Sequence, residues 1–293
     1  IIYDNEQDHL LKEYDTTHEI VGVFTHKNLK MNLSHTLDDP SVYLEECKTH
    51  EFRLLDMSKK TVTEKPPTIL TTSSLQQLVS QSLGLSPIMT MNLAQVLYEN
   101  GLITYMRTDC ASYSDEFKQE LEMFIQKKYG DELVNPIGNN DKKAHEGIRV
   151  TQLNISETTF ENNRINKLYN FIYKHTLQTG MTDSVSIKTK YIISAPRDYH
   201  FTYNESQFKF KGWKLLNKDK DDESMEVYLR DNINRNVIYA NETLTNPVFH
   251  LTESQLVKQL EKKGIGRPST YASILEKLKD KKYVTKGKIS GKK

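Results

Sequence analysis

Cysteine is scarce in this chain: there are two in 293 residues, Cys47 and Cys110. Two isolated cysteines make neither a metal motif nor a disulfide framework, and a reducing compartment is the expected setting. No apolar run approaches the ~20 residues needed to span a bilayer, so no membrane partner is expected. No secretory signal opens the chain, and no internal repeat of constant period runs through it. Net charge is also lacking, because 40 Lys and Arg against 39 Asp and Glu leave only +1. The balance is uneven, however. From Thr252 to Lys293 there are twelve basic and four acidic residues, so this end carries +8 and the remainder −7. A basic end of this kind suits a phosphate-bearing partner. Ile1 stands in place of an initiator methionine and the other end is lysine-rich, so the sequence reads as part of a longer polypeptide.

Patterns along the chain alternate between strand-like and helical. Residues 4–14 read as the end of a helix. His18–Phe24, Leu29–Leu33 and Glu51–Thr63 read as strands, with a short helix over Ser41–Lys48 between them. Lys65-Pro66-Pro67 marks a domain crossing. Ser73–Gln76 has the form of a capping box, Gly84 suits a helix stop, and Ser86-Pro87 suits the next helix start. Met89, Leu93, Val96 and Leu97 form a stripe at helical spacing. Asn100-Gly101 ends that helix and leads into an expected strand over Ile103–Met106. Helices are expected over Tyr113–Tyr129, with Phe117, Leu121 and Phe124 on one face, and over Asn163–Leu177. Beyond Gly180 the expected strands are Ser184–Ser194, Tyr199–Tyr203, Gln207–Trp213 and Val237–Ala240. Lys218–Glu223 reads as a charged loop, and Asn246-Pro247 closes this section. Trp213 is expected in the core of the strand-rich part. Helices over Thr252–Lys263 and Pro268–Asp280 complete the chain.

The chemistry-bearing stretch is Gly101–Asp109, GLITYMRTD. Tyr105 and Arg107, two apart in an extended segment, project from the same side. A tyrosine hydroxyl has a pKa of about 10 and is a poor nucleophile alone. A neighbouring guanidinium stabilises a phenolate and clamps a phosphate oxygen. The pair therefore suits covalent attack on a phosphodiester, although the spacing by itself is equally that of a half-buried strand with an exposed arginine. Two further blocks follow: AHEGIR at 144–149 and KKGIGRPSTYASI at 262–274. In the latter, Gly264 and Gly266 permit a tight turn. Pro268 suits a first helical turn, whose free N–H groups bind an anion. Arg267, Ser269 and Thr270 add a guanidinium and two hydroxyls, and Lys262 and Lys263 raise the local potential. Tyr271 reads equally as a base-stacking or a core residue.

LYENGLITYMRTDC, AHEGIR and KKGIGRPSTYASI, in this order, closely resemble the blocks of type IA DNA topoisomerases of the bacterial topoisomerase I kind. The resemblance implies an α+β multidomain protein with the toroidal type IA core, in which a helical tyrosine domain is inserted into a β-rich hinge domain. The implied division is 1–15 as the end of a base-domain helix, 16–67 and 182–248 as the two parts of the hinge, 68–181 as the tyrosine domain, and 249–293 as a helical DNA-binding base segment. The implied activity is ATP-independent relaxation of negatively supercoiled DNA through a transient 5′-phosphotyrosine link and strand passage. Tyr105 is then the nucleophile and Arg107 holds the scissile phosphate. Thr104, Thr108, His145, Arg149, Lys262, Lys263, Arg267, Ser269 and Thr270 are implied on the DNA. Asp109 is expected to hold Arg107 or the loop, and Arg149 either to contact a phosphate or to pair with Glu146.

Three residues depart from the family's pattern: Gly147 stands where alanine is usual, Val150 where proline is usual and Cys110 where serine is usual. The family's Mg2+ is held by an acidic N-terminal module. No Asp-x-Asp-x-Asp or Asp-x-Asp-x-Glu cluster here fits that role, so this chain is expected to hold no metal and to be inactive as an isolated piece. The expected partner is single-stranded DNA from underwound duplex, and the expected state is a monomer in the cytoplasm or nucleoid of a bacterium. A non-catalytic single-stranded DNA-binding module and the topoisomerase module of a reverse gyrase are the alternatives. The first is separated by an acidic domain encoded upstream, the second by a helicase-like segment there.

Overall fold

Two sets of alternating apolar segments, far apart in sequence, build one antiparallel sheet. In the computed structural model the described residues are 1–13, 15–25, 28–135, 145–217, 233–245 and 247–287. The chain divides into two compact units. One comprises Glu6–Glu64 and Ser184–Phe249, and the other Ile1–Asn5, Lys65–Asp183 and His250–Lys293. The first helix, α1 (Ile2–Leu11), runs from one unit into the other. Among the described residues no helix is long and apolar enough to cross a membrane.

The sheet unit holds β1 (Thr16–Phe24), β2 (Leu29–Leu37), α2 (Ser41–Thr49), β3 (Leu54–Glu64), β4 (Ser184–Ser194), β5 (His200–Phe210) and β6 (Arg235–Leu244). The strand order is β3-β4-β5-β2-β1-β6, with every neighbouring pair antiparallel. Phe24, Met31, Tyr43, Phe52, Tyr191, Ile193 and Phe201 fill its core. Each such side chain contributes roughly 1.5–3 kcal/mol by leaving water. Phe24 meets Phe52 and Phe201 edge-on at 5.1 and 5.2 Å.

The two strands expected over Tyr199–Tyr203 and Gln207–Trp213 are one continuous strand. The apolar alternation breaks at Glu205, but this carboxylate is buried and accepts a hydrogen bond from the Tyr191 hydroxyl at 2.9 Å. Trp213 is only half-buried. It lies in a short 3-10 turn, donates from Nε1 to the Glu64 carbonyl at 3.0 Å, and carries Lys214 over its ring. The loop expected at Lys218–Glu223 and the residue Asn246 lie outside the described residues.

The helical unit contains α3 (Thr72–Leu83), α4 (Pro87–Glu99), α5 (Asp115–Tyr129), α6 (Asn163–Thr179), α7 (Glu253–Lys262) and α8 (Tyr271–Asp280). The capping box lies two residues earlier than expected, with Thr71 as cap and Ser74 returning the bond. Gly84 closes α3 in the left-handed conformation, at φ 66°. Ser86 caps α4 with Pro87 in its first turn, and Met91, Leu93, Ala94 and Leu97 form the buried face. α6 is buried along Ile165, Leu168, Tyr169, Ile172 and Leu177. Leu256, Val257, Leu260, Tyr271 and Leu275 form a second cluster between α7 and α8.

Candidate functional site

The tyrosine segment is not the strand expected over Ile103–Met106. Only Ile103 forms a bridge, to Val150, and the residues after it are irregular. The outward alternation is present nonetheless. Ile103, Met106, Thr108 and Cys110 are buried, whereas Tyr105, Arg107 and Asp109 are exposed, Tyr105 by 42%. The backbone is held by side chains where a ladder would otherwise hold it.

Upstream of Tyr105, the Thr104 N–H donates to the Arg149 carbonyl at 2.9 Å. The Thr104 hydroxyl donates to the Gly147 carbonyl at 2.8 Å and accepts from the Arg149 N–H at 3.0 Å. Downstream, the Thr72 hydroxyl lies 2.7 Å from the Met106 carbonyl and 3.0 Å from that of Thr108, and it accepts from the Thr108 N–H at 2.8 Å. The approach to the loop is set by α4, which ends at Asn100, and by Gly101 at φ 68°. The Tyr105 ring meets Tyr98 edge-on at 5.3 Å.

Arg107 makes no hydrogen bond or ion pair among the described residues, so its guanidinium is available to an anion. The expected Asp109–Arg107 pair is not formed among them. The two threonines expected on DNA are turned inward instead. Thr104 spends its hydroxyl on the 147–149 backbone, and Thr108 is 3% exposed and accepts from the Cys110 N–H at 3.0 Å.

In the second block His145 is exposed and makes no hydrogen bond among the described residues. Arg149 resolves to one of its two expected roles. It donates to Glu146 from Nε at 3.1 Å and from Nη2 at 2.7 Å, and its guanidinium lies 3.7 Å from the centre of the Phe117 ring. Glu146 also accepts the Ser114 N–H at 2.7 Å, at the start of α5. With 13% of its side chain exposed, Arg149 is engaged by Glu146 and Phe117 in this structure. Gly147 is packed so tightly that a Cβ would stand 2.2 Å from Ile69 Cγ2.

The third block turns as expected through Gly264 and Gly266, at φ 66° and 81°. Helix α8 starts at Tyr271, three residues after the expected Pro268, because Arg267–Thr270 forms a self-contained turn. The Arg267 N–H donates to Thr270 Oγ1 at 2.8 Å, and the Thr270 N–H to the Arg267 carbonyl at 2.8 Å. Those groups are therefore not the free anion donors the sequence suggested, and the Thr270 hydroxyl is internal as well. Lys262, Lys263, Arg267 and Ser269 are exposed. The Arg267 guanidinium folds against the Gly266 carbonyl at 2.7 Å. Tyr271 is 6% exposed and belongs to the α7–α8 core. Burial raises its pKa, as do the charges of Glu261 and Asp109, while Arg267 opposes them. The tyrosine loop and the third block are thus neighbours.

Adjacent residues in the first turn of α3 join these parts. Thr72 holds the tyrosine loop, and the Ser73 hydroxyl donates to Glu261 at 2.6 Å, at the end of α7. Neither Thr72 nor Glu261 was singled out by the sequence. The one visible signal for Thr72 was the run of hydroxyl residues at 71–74, read two residues out of phase. Among the described residues no group of three or more His, Cys, Asp or Glu is placed to hold a metal ion.

An exposed tyrosine and arginine thus stand on a braced loop, with exposed basic residues in the turn at 262–267. Residues 12–292 match the family described as DNA topoisomerase, and the chain belongs to the type IA DNA topoisomerase family. It is 34% identical over 268 residues to DNA topoisomerase 1 of Rickettsia bellii (strain RML369-C), covering 82% of this chain and 34% of the relative. It is 35% identical over 246 residues to DNA topoisomerase 1 of Vibrio cholerae serotype O1 (strain ATCC 39315 / El Tor Inaba N16961), covering 80% and 28% respectively. The solved structure of full-length topoisomerase I from Thermotoga maritima superposes with a TM-score of 0.83 at 28% identity, over 97% of this chain and 50% of that one. The chain therefore spans about a third of the length of these curated relatives.

Proposed function

We propose that this chain is the strand-cleaving and gate-forming part of a type IA topoisomerase that relaxes negatively supercoiled DNA without ATP. The Tyr105 hydroxyl loses its proton to solvent as its oxygen attacks a backbone phosphorus; the P–O(Tyr) bond to the 5′ phosphate forms as the P–O3′ bond breaks, and the leaving 3′ oxygen takes up a proton from solvent, so the proton count is unchanged. Reversal of the same step reseals the strand, so no external energy source is needed. Arg107 holds the non-bridging oxygens and offsets their growing charge. His145, Lys262, Lys263, Arg267 and Ser269 line the single strand. Thr104, Thr108, Arg149 and Thr270 act on protein geometry. The sheet unit serves as the hinge, and the two units take their places in a toroidal monomer acting on bacterial DNA. We assign the family's Mg2+ to an acidic module outside this chain.

The observation that supports this reading best is the exposed Tyr105–Arg107 pair on a loop held at both ends. The test uses the full-length gene product, Mg2+ and a single-stranded oligonucleotide labelled at its 3′ end. Wild type is expected to form a denaturant-stable adduct that keeps the label, and Tyr105→Phe none. The 293-residue chain alone is expected to bind the oligonucleotide without relaxing plasmid. An adduct in Tyr105→Phe refutes the nucleophile, and one that keeps only a 5′ label refutes the polarity.

A further inference from the structure

The hydroxyl of Thr72 is fully buried and spent entirely on the tyrosine loop. Its proton faces two carbonyls, those of Met106 and Thr108, which lie on either side of Arg107. Its oxygen accepts the Thr108 N–H, and the Thr72 N–H itself donates to the Thr108 carbonyl at 2.9 Å. One residue thus clamps the peptide groups on both sides of Arg107. Met106 is also buried, at 0% exposure, so the residue that follows Tyr105 can neither turn outward nor slide. Thr104 holds the preceding residue in the same manner. Between these anchors the backbone that carries Tyr105 and Arg107 is held on both sides. Thr72 itself is anchored in the first turn of a capped helix, so the clamp does not depend on a loop.

We propose that Thr72 is a positioning residue for strand cleavage, setting the relative placement of the Tyr105 oxygen and the Arg107 guanidinium by hydrogen bonds to the backbone between and beyond them. The proposal rests on reading Tyr105 as the nucleophile. Thr72 is too deeply buried to reach DNA, so its effect falls on the reacting geometry and not on binding. A misplacement of about 1 Å at such a site costs on the order of a hundredfold in rate.

The test compares Thr72→Val, which keeps the shape and removes the hydroxyl, with Thr72→Ser, which keeps the hydroxyl. In the full-length gene product with Mg2+, single-turnover cleavage by Thr72→Val is expected to slow by roughly ten- to a hundredfold, with oligonucleotide affinity changed by less than about threefold. Thr72→Ser is expected to restore the rate. Hydrogen exchange at the Thr108 amide of the 293-residue chain provides a readout independent of catalysis. Exchange should rise in Thr72→Val and return to the wild-type value in Thr72→Ser. Wild-type cleavage or unchanged Thr108 protection in Thr72→Val overturns the proposal, as does a Thr72→Ser variant as slow as Thr72→Val. An adduct that persists in Tyr105→Phe removes the nucleophile reading. Unimpaired cleavage by Thr72→Val with Tyr105→Phe inactive removes the Thr72 proposal alone.

Discussion

Arg149→Ala separates a bracing residue from a phosphate ligand, since the two roles predict opposite patterns in two measurements. In the structure the Arg149 guanidinium gives two hydrogen bonds to Glu146 and lies over the Phe117 ring, 3.7 Å from its centre. Removing one member of a fully buried ion pair costs about 3–5 kcal/mol. Glu146 keeps the Ser114 N–H and 28% of its side chain is exposed, which lowers that figure to about 2 kcal/mol. The lost stacking on Phe117 adds roughly 1 kcal/mol. The sum is about 3 kcal/mol, taken as an upper figure because the two contacts share one side chain. A cooperative unit of this size loses about 2–4 °C of Tm per kcal/mol. Calorimetry of Arg149→Ala should therefore show a fall of roughly 6–12 °C. Fluorescence anisotropy with a labelled oligonucleotide at several salt concentrations should show an unchanged slope of log affinity against log salt. A phosphate contact would give the reverse, an unchanged Tm and a slope smaller by about 0.7. That result would refute the bracing role and return Arg149 to the DNA interface.

Two further expectations concern the same unit. The Arg267 guanidinium is exposed and, among the described residues, held only by carbonyls of its own turn; Arg267→Ala should leave Tm unchanged and reduce the single-strand salt slope by about 0.7, and an unchanged slope would make it structural. His175 is 6% exposed, with Nε2 2.8 Å from the Thr68 carbonyl. Burial pulls its pKa below the ordinary 6.5, and the Thr68 hydrogen bond only partly opposes this. The unfolded chain therefore takes up a proton first as pH falls, and this stability is complete above pH 6.5 and is lost below it, down to the folded pKa, by at most about 1.4 kcal/mol per pH unit. Urea midpoints at pH 7.5 and 5.5 should diverge for wild type and converge for His175→Gln, and an equal pH dependence in both would exclude His175 as the source.

What the sequence made legible follows the range of each physical signal. Helix ends set by local chemistry were readable, as at Gly84 and Ser86-Pro87, because cap and helix lie within one turn. Strand β5 was split in two because its pattern breaks at Glu205, and the Tyr191 hydroxyl that makes the break tolerable lies 14 residues away. The tyrosine loop was mistaken for a strand for a related reason. Its in–out alternation is real, but the bonds producing it come from Thr72, 34 residues upstream of Met106, and from the 147–149 backbone. Tyr105, Arg107, His145 and Arg267, picked out by their motifs, are exposed. The inward hydrogen bonds of Thr104, Thr108 and Thr270 were not readable, since a hydroxyl has the same letter whether it faces DNA or a carbonyl, and for Arg149 the Glu146 pair was one of two open roles.

The three departures from the family's usual residues can be understood through the same frame. Gly147 gives up a methyl group, and the Ile69 side chain occupies the place where a Cβ would stand. Val150 has an N–H that proline would lack; it is buried, and the Thr176 hydroxyl lies 3.4 Å away to accept it while donating to the Ile172 carbonyl. Cys110 is a weaker donor than serine, yet the order of its turn is carried by its backbone N–H on Thr108 Oγ1, with Sγ 3.0 Å from the Ser112 hydroxyl. In each case the altered side chain meets a neighbour able to absorb the change. The bonds that present Tyr105 and Arg107 run through the hydroxyls of Thr72 and Thr104, and the one that reaches a departure, Thr104 to the Gly147 carbonyl, uses a backbone group that alanine would present equally.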